Sequence, residues 1–589
     1  MRSRAASVKL AVVSVALVVS LALAAPPFPP VAERDVAVPM RDGVVLRADV
    51  LRPEGAGPFP VLVYRTPYGK HEALGSHETF GRAVERGYAV VLQDVRGRYA
   101  SAGEFNAYRN EGKDGYDTIE WAAAQPWSNG SVGTFGLSYP GAVQWLAAVE
   151  SPPHLKAMVP AMTFSTPRNF FQSGGVFDLS WIGWIWNNIA ADTRARKGLP
   201  GPRTDADAEA EWPRRRDAMR SVLPLRDLAE LREVAPYYYE WMEHPAGDPW
   251  WDWCEIRGKY DRVGAAVLNI SGWHDEAYGP EGAITNYLGL VAARRKDADP
   301  RARLVMGPWV HGADATGSPK SGERVFGPAA AIDYDEVVLR FLDRHVRGVD
   351  NGLDREKPVR VFVMGENAWR EGDTYTLAAT EPRTLFLSGS RDPGPGALVT
   401  DAAAVKGGET SFVSDPARPV SDPFAATMGA HDYRDLPKRA DVATFESEPL
   451  AEDLTVLGAI QAEIFFSLDA PDTDLWVKIH DVAPDGTAWN LMSPGLDVVR
   501  ASARNAGPQR ELLDPGRAYA LRFSDLLTGN RFGRGHRIRV VLTTAFMPHF
   551  SRNLHTGDPE TTSARMRRAR ITILHDARHP SRLVLPLAH

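Results

Sequence analysis

A serine nucleophile needs a tight turn to present its hydroxyl, a base to take its proton and an acid to orient that base. This 589-residue sequence holds candidates for all three in a usable order. Ser131-Val-Gly-Thr-Phe-Gly-Leu-Ser-Tyr-Pro-Gly-Ala-Val-Gln-Trp-Leu-Ala-Ala148 starts as a short apolar strand, Val132 to Phe135. It passes through Gly136-Leu-Ser-Tyr-Pro-Gly141 into a helix-like segment carrying Ala142, Val143, Trp145, Leu146 and Ala147. Strand, strained serine turn and helix form the pattern of a nucleophile elbow, in which glycines stand where larger side chains would clash. Ser138 is then the nucleophile, and the backbone N–H of Tyr139, at the helix N-terminus, faces developing negative charge. The pattern is imperfect, because Pro140 occupies the usual glycine position and Gly141 follows one place later. An ordinary Gly/Ser turn is the rival reading, so the partners decide.

Two later strand ends supply them. Ala265-Ala-Val-Leu-Asn-Ile270 is followed by Ser271-Gly-Trp-His-Asp275, and Ala302-Arg-Leu-Val-Met306 by Gly307-Pro-Trp-Val-His311. The order Ser138, Asp275, His311 is that of an α/β hydrolase, and the spacing between the last two accommodates one helical crossover. Asp275 could instead cap the helix behind it, and His311 could be an ordinary loop residue. Glu276 could replace Asp275 as the acid; His274 could replace His311 as the base, though packing suits it better. For the oxyanion, no His-Gly-Gly run follows the third strand. The loop there reads Tyr64-Arg-Thr-Pro-Tyr-Gly-Lys70, where the hydroxyl of Tyr68 could donate one hydrogen bond or simply pack.

The elements that must position these residues alternate. Arg34 to Pro53 reads as a hairpin turning at Asp42-Gly43, with Val36, Val38, Met40 and Val44, Leu46, Ala48 alternating. Pro60 to Tyr64 and Tyr88 to Gln93 are buried strands. Helices fit Glu78 to Glu85, with Ser76 as N-cap, and Asp114 to Gln125. Between about 164 and 253 the alternation gives way to an aromatic-rich helical insertion with Trp181, Trp184, Trp186 and Tyr237-Tyr-Tyr-Glu-Trp241. It reads as a cap whose aromatics either wall a pocket or pack it against the body. After it come the two strands above, a helix from Gly282 to Arg295 between them, and a closing helix from Tyr334 to Arg347. From 358 onward short alternating runs such as Val359-Arg-Val-Phe-Val363, Ala462 to Ser467 and Ile538 to Thr543 indicate an all-β sandwich or jelly roll. The expected organisation is an α/β-hydrolase domain in two parts (31–163 and 254–350), a helical cap (164–253) and a C-terminal β jelly roll (358–589).

Composition narrows the partners. Arg2, Arg4 and Lys9 precede an apolar run from Leu10 to Leu23 and a small-residue site, so residues 1–25 read as a secretory signal peptide rather than an uncleaved anchor. Removing them takes three of the 68 basic side chains and none of the 74 acidic ones, moving the net charge from −6 to −9. Such a surface argues against nucleic acid or an acidic membrane. Cys254 is the single cysteine, so no intrachain disulfide forms, and it reads as a buried small hydrophobe. No metal-ligand spacing and no phosphate loop occurs, so no cofactor and no metal is expected.

Several motifs, in order, resemble one family: Arg65-Thr-Pro-Tyr-Gly-Lys70, Gln93-Asp-Val-Arg-Gly-Arg98, Gln125-Pro-Trp-Ser-Asn-Gly130, Gly136-Leu-Ser-Tyr-Pro-Gly141, Gly272-Trp-His-Asp275 and Gly307-Pro-Trp-Val-His311. They are similar to those of the cocaine esterase and X-prolyl dipeptidyl-peptidase group of serine hydrolases, which includes α-amino acid ester hydrolases and glutaryl acylases. The resemblance runs from about Val36 to the C-terminus. It implies a Ser138, Asp275, His311 triad and a Tyr68 hydroxyl in the oxyanion hole beside Tyr139. In the sandwich, Asp472-Thr-Asp474 and Arg552-Asn-Leu-His-Thr-Gly557 resemble recurring stretches. Two departures matter: Ala277 and Tyr278 stand where α-amino acid ester hydrolases place further carboxylates, and no large N-terminal domain precedes the first strand. The expectation is an exported hydrolase of small esters, with amidase or dipeptidyl-peptidase action as the alternative. A non-catalytic carbohydrate-binding protein, with the jelly roll carrying the function, is the rival from another class.

Overall fold

The hairpin at the start opens a ten-stranded sheet. In the computed structural model, which describes residues 31–297, 301–375, 380–389 and 394–588, it comprises β1 (Val31–Pro39) and β2 (Val45–Leu51), antiparallel about the Asp42-Gly43 turn. The signal-peptide expectation lies outside the described residues. Next come β3 (Phe59–Thr66), β4 (Ala89–Asp94), β5 (Ser128–Leu137), β6 (Leu155–Ala161), β7 (Ala266–Gly272), β8 (Ala302–Gly307), β9 (Val359–Val363) and β10 (Ala368–Gly372). The sheet order is β1-β2-β4-β3-β5-β6-β7-β8-β9-β10. The run from β4 to β9 is parallel, which requires crossovers and puts helices over both faces. That explains why β4 and β7 are buried along their whole length and read as continuous apolar runs.

Three local expectations are corrected. Ser76 does not cap the following helix: it ends a short helix, Lys70–Ser76, and its Oγ donates to the Glu72 carbonyl. The helix expected from Gly282 starts four residues earlier, spanning Tyr278–Ala293, despite Gly279, Pro280 and Gly282 in its first turns. Val359–Val363 has the alternating pattern of a sandwich strand, but it pairs in parallel with β8 and belongs to the first sheet. Backbone pairing with a buried partner decides its allegiance, and periodicity cannot.

The insertion folds as a helical cap. Ser180–Trp184 runs through a π turn, Ile185–Ile189, into Ala190–Lys197. The long helix Asp205–Ser221, capped at its start by the Thr204 hydroxyl, and the short Pro236–Trp241 complete it. The C-terminal jelly roll is a thirteen-stranded, largely antiparallel assembly in which Leu454–Leu468 pairs along its length with Tyr519–Phe532. It packs against the hydrolase body at the loop after β7: Ser493 Oγ donates to the His274 carbonyl at 2.7 Å, and a Cβ on Gly529 would stand 2.8 Å from Trp273 Cζ2. Among the described residues no helix is long and apolar enough to cross a membrane.

Candidate active site

Ser138 sits directly after β5, with φ 66° and ψ −124°, a conformation costly for any residue with a Cβ. The turn closes only because of its glycines. Gly136 has φ 139°, and a Cβ there would stand 2.5 Å from Pro140 Cβ; a Cβ on Gly141 would stand 2.6 Å from the Ala161 carbonyl at the end of β6. This accounts for the displaced glycine: Gly141 is where helix Tyr139–Ala148 crosses closest to the neighbouring strand. Pro140 is tolerated in the first turn because no N–H is required there. Ser138 N donates to Ala161 O at 3.0 Å, while its own carbonyl accepts from the N–H groups of Gly141 and Ala142.

Tyr139 is anchored from behind. Its hydroxyl donates to Glu111 Oε1 at 2.8 Å and accepts from the Tyr108 N–H at 3.0 Å, and its ring stacks on Tyr108 with centroids 4.1 Å apart. Glu111 in turn pairs with Arg65 at 2.8 Å, both side chains being 3% exposed. Arg65 Nε donates to Gln93 Oε1 at 2.7 Å. Arg65 and Gln93, which open two of the sequence motifs, thus help fix the residue after the serine from 46 or more positions away.

The Tyr68 loop is held from two sides. Gly69, with φ 92°, turns the chain, and Lys70 N donates to Asp94 Oδ1 at 2.8 Å. The fully buried guanidinium of Arg98 donates to the Pro67 carbonyl at 2.8 Å, and also to the Ile189 and Asn188 carbonyls at 2.7 and 2.9 Å. Arg98 therefore ties the Tyr68 loop to the π turn of the cap. The Tyr68 hydroxyl accepts from Trp184 Nε1 at 3.0 Å and interacts with the Ser138 hydroxyl. Burial pushes the Tyr68 pKa up, against the pull of these two hydrogen bonds, so the phenol keeps its proton.

The loops after β7 and β8 converge. His311 Nδ1 lies 2.6 Å from Asp275 Oδ1. Asp275 is fully buried and also accepts from Ser271 Oγ at 2.7 Å and from the Glu276 N–H at 2.8 Å. It does not cap the next helix, whose N-cap is Ala277. Gly279 is the hidden requirement: a Cβ there would collide with Asp275 Oδ2 at 1.9 Å. Burial disfavours the His311 cation, but the charge of Asp275 and its hydrogen bond outweigh that and raise the pKa. His274 points elsewhere, buried between the carbonyls of Pro308 and Asn490, and burial pushes its pKa down to about 4. Glu276 lines the cavity, while the Nδ1 side of His311 is given to Asp275. Cys254 is buried and does not line this cavity, its thiol donating to the Trp251 carbonyl.

Ser138 and His311 line one cavity of about 300 Å³, walled by Tyr108, Trp181, Trp184 and Tyr278. The cap aromatics divide accordingly: Trp186 donates to the Ala208 carbonyl inside the cap, while Trp184 reaches the site. A hydroxyl on a strained turn and an imidazole on a buried carboxylate at one cavity, with a buried phenol beside the hydroxyl, are parts that acyl transfer needs.

The comparisons with known proteins agree with this architecture. The family model described as X-Pro dipeptidyl-peptidase (S15 family) matches residues 42–313, and that described as the X-Pro dipeptidyl-peptidase C-terminal non-catalytic domain matches 351–584. The chain is 33% identical over 585 residues to the cocaine esterase of Rhodococcus sp. (strain MB1 Bresler), covering 94% of this chain and 98% of that one. It is similar in fold to a solved α-amino acid ester hydrolase, with TM-score 0.79, 24% identity, and 98% and 100% of the two chains covered. It is similar in the same sense to an aminopeptidase from the marine sediment archaeon Thaumarchaeota archaeon, with TM-score 0.77, 23% identity, and 95% and 98% covered.

Proposed function

From the premise that the chain belongs to the cocaine esterase and X-Pro dipeptidyl-peptidase family of serine hydrolases, we propose that Ser138 is its nucleophile, His311 its general base and Asp275 the acid that orients the base. The protein is then an esterase acting on small carboxylic esters through an acyl-enzyme. The observation that carries this reading is the opening of Ser138 and His311 into one cavity, with the far nitrogen of His311 committed to Asp275.

Asp275 accepts a hydrogen bond from the Nδ1–H, which leaves Nε2 free to accept the proton of Ser138 as its oxygen attacks the substrate carbonyl. The tetrahedral oxyanion is met by the Tyr68 hydroxyl and the Tyr139 N–H, the latter lacking an acceptor in its own helix. His311 then delivers its proton to the leaving group, and water repeats the sequence to release the acid. The phenol suits this role because Trp184 fills one acceptor position and the O–H remains to meet the oxygen that develops beside Ser138. Export through residues 1–25 puts the enzyme outside the cytoplasm, and the aromatic wall suits the apolar atoms next to the scissile bond.

The test compares p-nitrophenyl acetate and butyrate with Ala-Pro-p-nitroanilide, using the Ser138→Ala variant as control. Ester turnover that vanishes in the variant is expected. Turnover confined to the anilide would replace the esterase by a dipeptidyl-peptidase, and turnover surviving in Ser138→Ala would remove Ser138 from the mechanism.

A further inference from the structure

One charged group of the cavity has no part in this chemistry. Arg220, in the last turn of helix Asp205–Ser221, lines the cavity that holds Ser138 and His311. It also lines an adjoining groove of about 390 Å³ between cap and jelly roll, beside Ser421, Asp422 and Met547. The guanidinium therefore stands between the nucleophile and a second space into which a substrate can extend.

Its position is built. The guanidinium carbon lies 5.2 Å from the Trp212 ring centroid. Gly183 leaves the room: a Cβ there would stand 2.9 Å from Trp212 Cζ2 and 3.5 Å from Arg220 Nη2. Yet among the described residues Arg220 makes no hydrogen bond or ion pair, and its Nε is buried without a partner. Asp217, exposed on the same helix, and the carboxyls of Asp178 and Glu276 act on it electrostatically, but none pairs with it. Asp178 already accepts from the Ser180 N–H at 2.7 Å. Burial pushes both carboxyls towards their neutral forms, Asp178 to about 7, which weakens their compensation of the cation. The side-chain oxygen of Asn187, on the same cavity, is likewise buried without a partner.

A guanidinium keeps its charge at any physiological pH, and a buried Nε–H left without an acceptor is costly. Its planar fork fits a carboxylate with two parallel hydrogen bonds. We propose that Arg220 is a specificity-determining residue that receives a carboxylate carried by the substrate, so that the preferred substrates are esters bearing a free carboxylate away from the scissile bond. This deepens the reading of Ser138 as nucleophile and rests on it.

Two pairs of substrates carry that charge or mask it as a methyl ester: p-nitrophenyl hydrogen adipate against p-nitrophenyl methyl adipate on the acyl side, and 4-carboxyphenyl acetate against 4-(methoxycarbonyl)phenyl acetate on the leaving-group side, each ratio being divided by its value for alkaline hydrolysis. In the full-length enzyme the acid should exceed its neutral partner in kcat/KM by on the order of 10–100-fold in one pair, as a charge-assisted hydrogen bond would supply. Arg220→Gln should bring that ratio close to one, mainly through KM, and Arg220→Lys should restore part of it. The ratio is read on a single preparation, so a smaller folded fraction does not affect it. Equal rates for acid and neutral partner in both pairs, or a preference that persists in Arg220→Gln, would overturn the subsite. Fluorophosphonate labelling separates the two levels: an unlabelled Ser138 in the wild type would overturn the nucleophile reading and the subsite with it. Labelling without any charge preference would overturn the subsite alone.

Discussion

The indole N–H of Trp184, in the cap, donates to the hydroxyl of Tyr68, in the loop after β3, across 3.0 Å. The cap therefore does more than cover the site. In the proposed mechanism it fills one acceptor position of the phenol and leaves the phenol's own proton for the oxyanion. Tyr68→Phe should lower kcat on the order of 10²–10³-fold with little change in KM. Trp184→Phe, which removes one neutral hydrogen bond while keeping an aromatic wall, should cost about 5-fold. Steady-state kinetics on p-nitrophenyl acetate check both; an unchanged kcat in Tyr68→Phe would remove the phenol from the oxyanion hole.

His311 must be neutral to accept the serine proton. Its cation is disfavoured by burial but supported more strongly by Asp275, so its pKa lies above 6.5. Activity is thus lost as pH falls through that raised pKa and is full above it. The acid limb of kcat/KM should inflect above pH 6.5. Asp275→Asn should lower kcat by about 10⁴-fold and move the inflection of the residual activity downward, since both the charge and the tautomer control are removed. An inflection that stays in place would mean that Asp275 does not govern His311.

The Arg65–Glu111–Tyr139 chain makes a stability prediction. Arg65→Met leaves a buried carboxylate without its cation and should cost about 3–5 kcal/mol in urea unfolding. Tyr139→Phe leaves one carboxylate oxygen and one N–H unmet and should cost about 1–3 kcal/mol, while its backbone N–H remains. Adding Glu111→Leu to Arg65→Met should recover part of the loss. A double variant less stable than Arg65→Met would show that Glu111 contributes independently of its cation.

Cys254 should be inert. It is buried, and burial pushes its thiol pKa far up, so little thiolate forms. Iodoacetamide should neither modify the native protein nor slow ester turnover, while the unfolded chain should take up one equivalent. Inactivation of the native enzyme at a rate matching alkylation of Cys254 would contradict this placement.

The parts of the site written in local sequence were readable in advance. The Gly136 to Gly141 turn carries its own steric signature, and the loops holding Asp275 and His311 each follow a short apolar strand, so one crossover brings them together. What escaped depends on contacts remote in sequence. Val359–Val363 looks like any alternating strand until β8 is seen beside it. Nothing local marks Arg98 as buried; three carbonyls from two segments, and Asp192 at 3.4 Å, receive it. Gly279 and Gly282 weaken any helix reading, but they are there because Asp275 Oδ2 and the Thr163 carbonyl leave no room for a Cβ. Of the clustered tryptophans, nothing in the sequence separates Trp184 from Trp186.

The central claim is that Ser138 is an activated nucleophile with its oxyanion hole assembled. Treating the purified mature protein with a fluorophosphonate probe and mapping the adduct by mass spectrometry tests it most directly. The account predicts one adduct, on Ser138, formed at a rate that falls when Tyr68 becomes Phe. An adduct elsewhere, or none on a folded protein, would contradict it.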